Sequence, residues 1–579
     1  MASIQMPGEA SNAESDWIVL DSADIYNSLN DEEGNEKYPA LVDILVAVNL
    51  VSDAFVWFNI GRLVISKSIS KTLPTQYLIQ DFGTNEAWLK QIDHKHDANG
   101  RTAKLHARAV AKRLRVKEGL IFLPGVPSKT YEDSDQEIAF RQRRYFYYLS
   151  GISHPDCLIS YDIGRDVVCA WIPPPNTGRN VIYNGFTPSR TQIRAITDVT
   201  YVAETSHLKQ YLKSYVKNTG SHAKFYLLHK SQEPKLRQHL VNDDGIDIIA
   251  PKSQFDFTKL QPAMDAARVV KSEHELKLIR KACEITQKAH LNVLYFIKDC
   301  DNEAEIEAIF AASCIAEQAK HQAYGIIAGS GENASTLHYV ANNEPLEGRQ
   351  LVCLDAGVEW KEYASDVTRT FPISGKWTPE AKSIYDIVAK MQDECIAMVK
   401  PGADYRQIHM HAHKVAVKGL LELGILQNGT WQELYSSGVS VAFFPHGLGH
   451  YMGLEVHDVG ARGALLYGFP QTARVNWETA YFSMGITNPS LLEPGMVITV
   501  EPGVYFSRYA LEQVYLKDPK FAKYINAPLL DTYYAVGGVR IEDDILVTGH
   551  GSENLTRDIP KGEEALKIIR GEKEKRGWF

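Results

Sequence analysis

The sequence predicts an α/β (α+β) protein in two parts: an amino-terminal α/β domain over residues 104–265 and a larger domain over 266–579, behind an atypical stretch at 1–103. Three observations carry this. Helical and strand periodicities alternate from Lys104 onward. A capping-box spacing, Ser272 with Glu275, opens a second region near Lys271. Five acid or imidazole side chains, Asp355, Asp366, His450, Glu501 and Glu542, each lie in a turn-and-strand pattern, which lets a β framework bring ligands to one point.

In chain order, residues 1–37 are acidic and polar, with Asp-Glu-Glu-Gly-Asn-Glu at 31–36, and are expected to be a mobile leader. Leu41 to Ile65 is the most apolar stretch, but Asp43, Asn49, Asp53, Asn59 and Arg62 interrupt it short of a membrane span. A buried or surface-docked helix is expected there. An amphipathic helix bearing Leu105, Val110 and Leu114 then leads into an apolar strand over Gly119–Pro124 and a polar loop. Residues 140–151, Phe-Arg-Gln-Arg-Arg-Tyr-Phe-Tyr-Tyr-Leu-Ser-Gly, mix arginine and aromatics in a way that could stack on nucleic-acid bases. The chain as a whole carries a formal charge of −9 and a pI near 6.1, with no broad basic patch, which argues against nucleic acid as a partner.

From Ser272 a helix runs with Leu276, Ile279, Cys283 and Thr286 at helical intervals. A second starts at Thr378-Pro379, lines up Ile384, Ile387, Met391, Cys395 and Met398, and stops at Pro401-Gly402. Those sulfur side chains are expected to fill core. Asp355 ends the run Leu351–Leu354 and Asp366 opens Asp-Val-Thr-Arg-Thr-Phe-Pro, so the two are expected on the paired strands of a hairpin. Glu501 ends the strand Pro494–Glu501. Alternation over Val539–Ile545 puts Arg540, Glu542 and Asp544 on one face and Val539, Ile541 and Ile545 on the other.

Four carboxylates brought together without a cation would repel one another and raise their own pKa values. The set therefore makes physical sense around metal. Oxygen donors with a single imidazole suit manganese, cobalt or zinc better than a thiolate-rich structural zinc site does. Two such ions would activate water for hydrolysis. The seven cysteines are widely spaced, without a CxxC pair, and the first ten residues lack the basic and apolar regions of a secretory signal. Both features point to a reducing cytoplasm.

The strings Leu-Asp-Ala-Gly (354–357), Ser-Asp-Val-Thr-Arg-Thr-Phe-Pro (365–372), His-Gly-Leu-Gly-His-Tyr-Met-Gly-Leu-Glu-Val-His-Asp (446–458), Val-Glu-Pro-Gly-Val-Tyr-Phe (500–506) and Gly-Gly-Val-Arg-Ile-Glu-Asp (537–543) resemble the Xaa-Pro peptidases. That family comprises aminopeptidase P and prolidase, and the resemblance extends over roughly residues 104 to 560. It implies a creatinase-like amino-terminal domain followed by a pita-bread metallopeptidase domain, peptides with proline in second position as substrates, and a homodimer. It also implies that Asp355 binds one ion, His450 and Glu501 the other, and that Asp366 and Glu542 bridge them, with manganese the favoured metal and Glu501 the proton shuttle. His338, in Ser-Thr-Leu-His-Tyr at 335–339, and the motif members His446 and His457 resemble residues that contact substrate or stabilise an oxyanion. Arg540 is expected to pair with carboxylates around the ligands.

Two stretches depart from the family. Tyr-Pro-Ala at 38–40 and Lys-Leu-His-Ala-Arg at 104–108 nearly adjoin in relatives, so residues 41–103 are either a lineage-specific insertion or a translated intron. Around 461–490 the chain matches no family segment, and neither Arg462 nor Arg474 aligns with the arginine that caps a dipeptide's carboxylate in prolidases. The expected activity is therefore an aminopeptidase open beyond proline. A dipeptide-restricted prolidase and a non-enzymatic binding member of the fold are the competing readings.

Overall fold

The computed structural model describes the strands β1 (Ala2–Ile4), β2 (Ile18–Leu20), β3 (Val46–Asn49) and β4 (Phe55–Phe58), and residues 102–220, 223–241, 254–459 and 491–573. The chain divides into two units, residues 1–81 and 82–579. In the first, β1 pairs antiparallel with β2 and β3 with β4. Within the stretch Leu41 to Ile65, where a helix is expected, the described residues Val46–Asn49 and Phe55–Phe58 form a β-pair instead. The reason lies in the residues paired: Val46, Val48, Phe55, Val56, Trp57 and Phe58 are β-branched or aromatic, and such side chains fit a pleated surface better than a helix.

The second unit begins with α1 (Ala103–Leu114) and a six-stranded sheet, ordered β10-β9-β5-β6-β7-β8, made of β5 (Leu120–Pro124), β6 (Leu158–Asp162), β7 (Val167–Ile172), β8 (Tyr201–Glu204), β9 (Phe225–Tyr226) and β10 (Phe255–Asp256). The buried stripe of α1 runs through Ala103, His106, Ala107, Val110, Ala111 and Leu114, and Leu105 lies off it. His106 takes the inner place because its ring stacks on Tyr148, with centroids 3.9 Å apart, and its Nδ1 lies 2.7 Å from the Tyr148 carbonyl. The sheet is flanked by α2 (Arg144–Ser150), α3 (Leu208–Thr219) and α4 (Leu260–Arg268).

Most of the arginine and aromatic stretch forms α2, where Arg144 faces protein while Arg141 and Arg143, ahead of the helix, are exposed. Arg144 is buried, donates to Glu359 at 2.6 Å and also pairs with Glu362, both in the carboxy-terminal part of the chain. Tyr145 donates to Asp265 at 2.6 Å. Replacing Arg144 by Met is expected to cost about 3 kcal/mol of folding stability, because it leaves Glu362 without its cation and buried Glu359 with only the exposed Arg141. Urea unfolding checks this, and adding Glu359→Gln and Glu362→Gln to the variant should recover part of the loss.

The larger part of this unit consists of two halves. One packs α5 (Glu273–Phe296) and α6 (Glu303–Ala316) beside the antiparallel sheet β12-β13-β16, built from β12 (Ile327–Ser330), β13 (Leu351–Asp355) and β16 (Thr368–Pro372). α5 starts with the expected capping box, Ser272 accepting from the Glu275 N–H. The other half packs α7 (Pro379–Met398) and α8 (Tyr405–Glu422) beside β17 (Val497–Val500), β20 (Asp543–Val547) and β21 (Ser552–Asn554), with β18 (Gly503–Tyr505) paired to β19 (Gly538–Arg540). α7 is capped by Thr378, and Met391 and Cys395 are fully buried in the core, as the pattern predicts.

Two strand expectations change. β13 and β16 do pair, with Asp355 opposite Thr368, but the chain between them leaves for a separate sheet in which β14 (Val358–Trp360) and β15 (Tyr363–Ala364) join β11 (His321–Gln322). Asp366 therefore sits two residues ahead of β16. Likewise Val539–Ile545 is not one strand: β19 and β20 belong to different sheets, and the chain breaks at Ile541-Glu542. There the Glu542 N–H donates to the Thr368 carbonyl, so the break joins the two halves.

Candidate metal centre

All five expected ligands converge where the halves meet. Asp355 comes from the end of β13, Asp366 from the approach to β16, Glu542 from the break between β19 and β20, and Glu501 from the end of β17. His450 precedes Tyr451, which bridges to Ile498 on β17. The His450 N–H donates to Thr499 Oγ1 at 3.1 Å, and Gly449 permits that approach, since a Cβ there would lie 2.2 Å from the Thr499 carbonyl oxygen. His450 Nδ1 lies 3.1 Å from the Tyr451 carbonyl, which assigns the proton to Nδ1 and turns Nε2 to the carboxylates. Nε2 is 3.3 Å from both Asp366 Oδ2 and Glu501 Oε1. Ligand atoms of Asp366, His450 and Glu542 all lie within 4.8 Å of one another, a spacing one divalent cation can satisfy.

Without a cation the electrostatics are unfavourable in the way a metal would relieve. Burial, reinforced by Asp366, Glu501 and Asp355, holds Glu542 well above the usual carboxylate range. Burial also raises Glu501 to about 7, outweighing the relief that His450 and Arg540 give, with smaller repulsion from Asp366 and Asp355 added. Asp355 is raised as well, by burial first, despite Arg540. Burial disfavours the charged His450 ring, but Asp366 and Glu501 overcome that and lift it to about 9. Four mutually repelling carboxylates and an imidazole, enclosed together, fit a hard or borderline divalent ion.

A second set of groups holds these ligands, and most of it was not singled out from sequence. Tyr324 donates to Asp355 Oδ1 at 2.6 Å, and Arg540 donates to Asp355 Oδ2 at 2.6 Å. Arg540 thus pairs with a ligand itself. It also donates to Thr368 at 3.0 Å, and Thr368 donates to Glu542 Oε2 at 2.7 Å. Arg369, buried, donates to the Glu542 carbonyl at 2.6 Å and to Asp543 Oδ1 at 2.7 Å. Asp544 Oδ2 accepts the Asp366 N–H at 3.0 Å, so it faces Asp366, as Glu542 does, from behind. Thr368, Arg369 and Tyr505 lie inside the quoted motifs, which was their only signal, whereas Asp544 was also placed by alternation on the face of Arg540 and Glu542. Tyr324 had none.

The three further histidines differ. His457 sits against the His450 ring, centroids 4.3 Å apart, and is lowered to about 4 by burial and by His450. His446 has Nδ1 on the Gly447 carbonyl at 2.7 Å and Nε2 2.8 Å from Tyr505 Oη. Burial, with Arg540, lowers it to about 3, so it is neutral and accepts from Tyr505, which in turn accepts from Arg540 at 2.9 Å. A chain of hydrogen bonds runs from Asp355 through Arg540 and Tyr505 to His446. His338 is exposed. Arg462 and Arg474 lie outside the described residues.

An antiparallel two-half framework around an oxygen-rich candidate metal centre is the arrangement of a metallopeptidase class. The family model for metallopeptidase family M24 matches residues 277–549, and that for the aminopeptidase P amino-terminal domain matches 101–225. A protein of Sclerotinia sclerotiorum named probable Xaa-Pro aminopeptidase is 59% identical over 488 residues, covering 82% of this chain and 87% of its own. One of Aspergillus niger with the same name is 48% identical, covering 82% and 93%. The solved aminopeptidase P of E. coli superposes with a TM-score of 0.66 at 26% identity, covering 82% of this chain and 99% of that one. The chain belongs to the Xaa-Pro peptidases of metallopeptidase family M24, with an aminopeptidase P amino-terminal domain ahead of a pita-bread domain.

Proposed function

We propose that this protein is an Xaa-Pro aminopeptidase that hydrolyses the amide bond between an amino-terminal residue and a penultimate proline. The observation that carries the reading is the convergence of Asp355, Asp366, His450, Glu501 and Glu542 on one enclosed point, in a chain whose relatives bear that name. In this reading Asp355 holds one divalent ion, His450 and Glu501 hold a second, and Asp366 and Glu542 hold both. Bound there, two ions would polarise the substrate carbonyl and lower the pKa of water. Manganese suits the donor set, which has one imidazole and no thiolate.

Around that pair the protein's own groups position and shuttle. Arg540 and Tyr324 fix the Asp355 carboxylate from both oxygens. Glu501 is enclosed beside His450, 3.3 Å from its Nε2, and so is placed to take a proton and pass it to a leaving amine. His457, neutral beside His450, offers an uncharged wall to a proline ring. Cytoplasmic residence is supported by seven cysteines that are all free thiols. Among the described residues no helix is long and apolar enough to cross a membrane.

Substrate length tests the reading. We expect the manganese-loaded enzyme to cleave Ala-Pro-Ala with a higher kcat/KM than Ala-Pro, because a dipeptidase must grip the carboxylate next to proline and an aminopeptidase must leave room there. Activity confined to Ala-Pro would make it a prolidase. Cleavage of neither by protein holding its metals would favour a binding member of the fold.

A further inference from the structure

Beside the metal centre lies a cavity of about 320 Å³ whose walls come from both domains. His457 lines it next to the ligand His450, and Arg143, Arg144, His229, Arg268 and Glu455 line it too. Three arginines face one small cavity, but two are committed. Arg144 is paired with Glu359 and Glu362 and lies near Glu455, and Arg268 is paired with Asp458. Arg143 differs. Its Nη1 reaches only the Pro124 carbonyl, at 3.4 Å, and no carboxylate among the described residues engages it.

We propose that Arg143 is a specificity-determining residue which binds the carboxy-terminal carboxylate of short Xaa-Pro peptides, so that the cavity between His457 and Arg143 receives the chain beyond proline. This rests on the aminopeptidase reading above. The peptide's amino end must lie at the acidic metal centre, because one residue alone precedes the scissile bond. A cation set off from that centre, across a cavity that starts at His457, meets the other end of the peptide. The one full negative charge every short peptide carries is its terminal carboxylate, and a guanidinium fork matches it in geometry. Arg143 is exposed on the cavity wall, so its guanidinium is open to an incoming anion. Glu455, also on the wall, is drawn aside by Arg141 at 3.7 Å and Arg144 at 3.4 Å.

The test compares Ala-Pro-Ala as the free acid with its carboxy-terminal amide, using manganese-loaded full-length enzyme. The wild type should favour the acid by about tenfold in kcat/KM, the scale of one partly exposed charge-assisted contact. In Arg143→Ala that ratio should fall to near one, through KM more than kcat, and Arg143→Lys should restore part of it. An acid-to-amide ratio near one in the wild type would overturn the inference without recourse to any variant. So would an unchanged ratio in Arg143→Ala. If the wild type cleaves neither peptide, the aminopeptidase reading itself fails and takes this inference with it, whereas cleavage of both without discrimination sinks this inference alone.

Discussion

Asp366→Asn is expected to abolish turnover, by at least about a thousandfold in kcat/KM, and to lower the divalent metal that the protein holds. A thousandfold corresponds to about 4 kcal/mol of transition-state stabilisation. Asp366 is buried, its Oδ2 lies 3.3 Å from His450 Nε2, and it shares a ligand cluster with Glu542. An amide in its place presents one donor N–H₂ to cations and removes one of the two carboxylates assigned to both ions. Glu542→Gln should behave the same way. The fold should survive, because the Asp366 N–H still reaches Asp544 and the neutral side chain relieves repulsion among enclosed carboxylates. The metal-free variant should therefore stay folded, its melting temperature set by that relief against the lost Asp366–His450 pair. Elemental analysis and thermal unfolding check both halves of the expectation, and near wild-type activity of either purified variant with manganese added would refute the assignment.

Removing the metal should inactivate the wild type, and adding manganese or cobalt should restore it, with a pH dependence whose sign follows from the centre. In the metal-free protein Glu501 is raised from 4.5 to about 7 and His450 from 6.5 to about 9. Both folded values lie above the unfolded ones. Each group's stabilising contribution is then complete below 4.5 or 6.5 and is lost as pH rises through about 7 or 9. Between pH 5 and 9 these two groups alone lower the stability of the metal-free protein, whereas the depressed His446 and His457 raise it as pH climbs through 6.5, so the loss should show above about pH 7. Over the same interval a cation competes with fewer protons, so its affinity rises. Glu275, held down at about 2 despite burial, chiefly by His106 among its opposing partners, stays ionised throughout and adds no slope. The rise in Tm on adding manganese should thus be larger at pH 8 than at pH 5.5, by about 2–3 °C if binding improves a hundredfold. Full activity after chelation, with metal absence confirmed by elemental analysis, would exclude this chemistry.

The helices beginning at Ser272 and Thr378 were legible because capping and 3.6-residue periodicity are local, and α5 and α7 start where those rules put them. The hairpin over Asp355 and Asp366 was legible as a pairing but not as a path. Nothing in the interval Val358–Ala364 announces that it serves a different sheet, because strand alternation reads the same whichever partner a strand finds. The stretch Val539–Ile545 failed for the same reason. Its period-two pattern is genuine, yet the Glu542 N–H is taken by Thr368 of the other half, and that contact is 174 residues away in sequence. Leu41 to Ile65 went the other way, from helix to paired strands, since a mixed apolar run carries no firm period and the β-branched and aromatic residues prevailed.

By itself the sequence determined the family and the identity of the five candidate ligands, because motif residues of fixed chemistry stand at turns that short-range rules describe. Only the tertiary structure decided what surrounds them. Tyr324, Thr368 and Arg369 reach Asp355 and Glu542 across contacts set by packing, and His446 spends both its nitrogens on Gly447 and Tyr505. Arg143 and Arg144 adjoin in the chain and look alike there. Burial against Glu359 commits Arg144 to holding two domains together, while its neighbour, one residue around the same helix start, faces the cavity with its charge unspent.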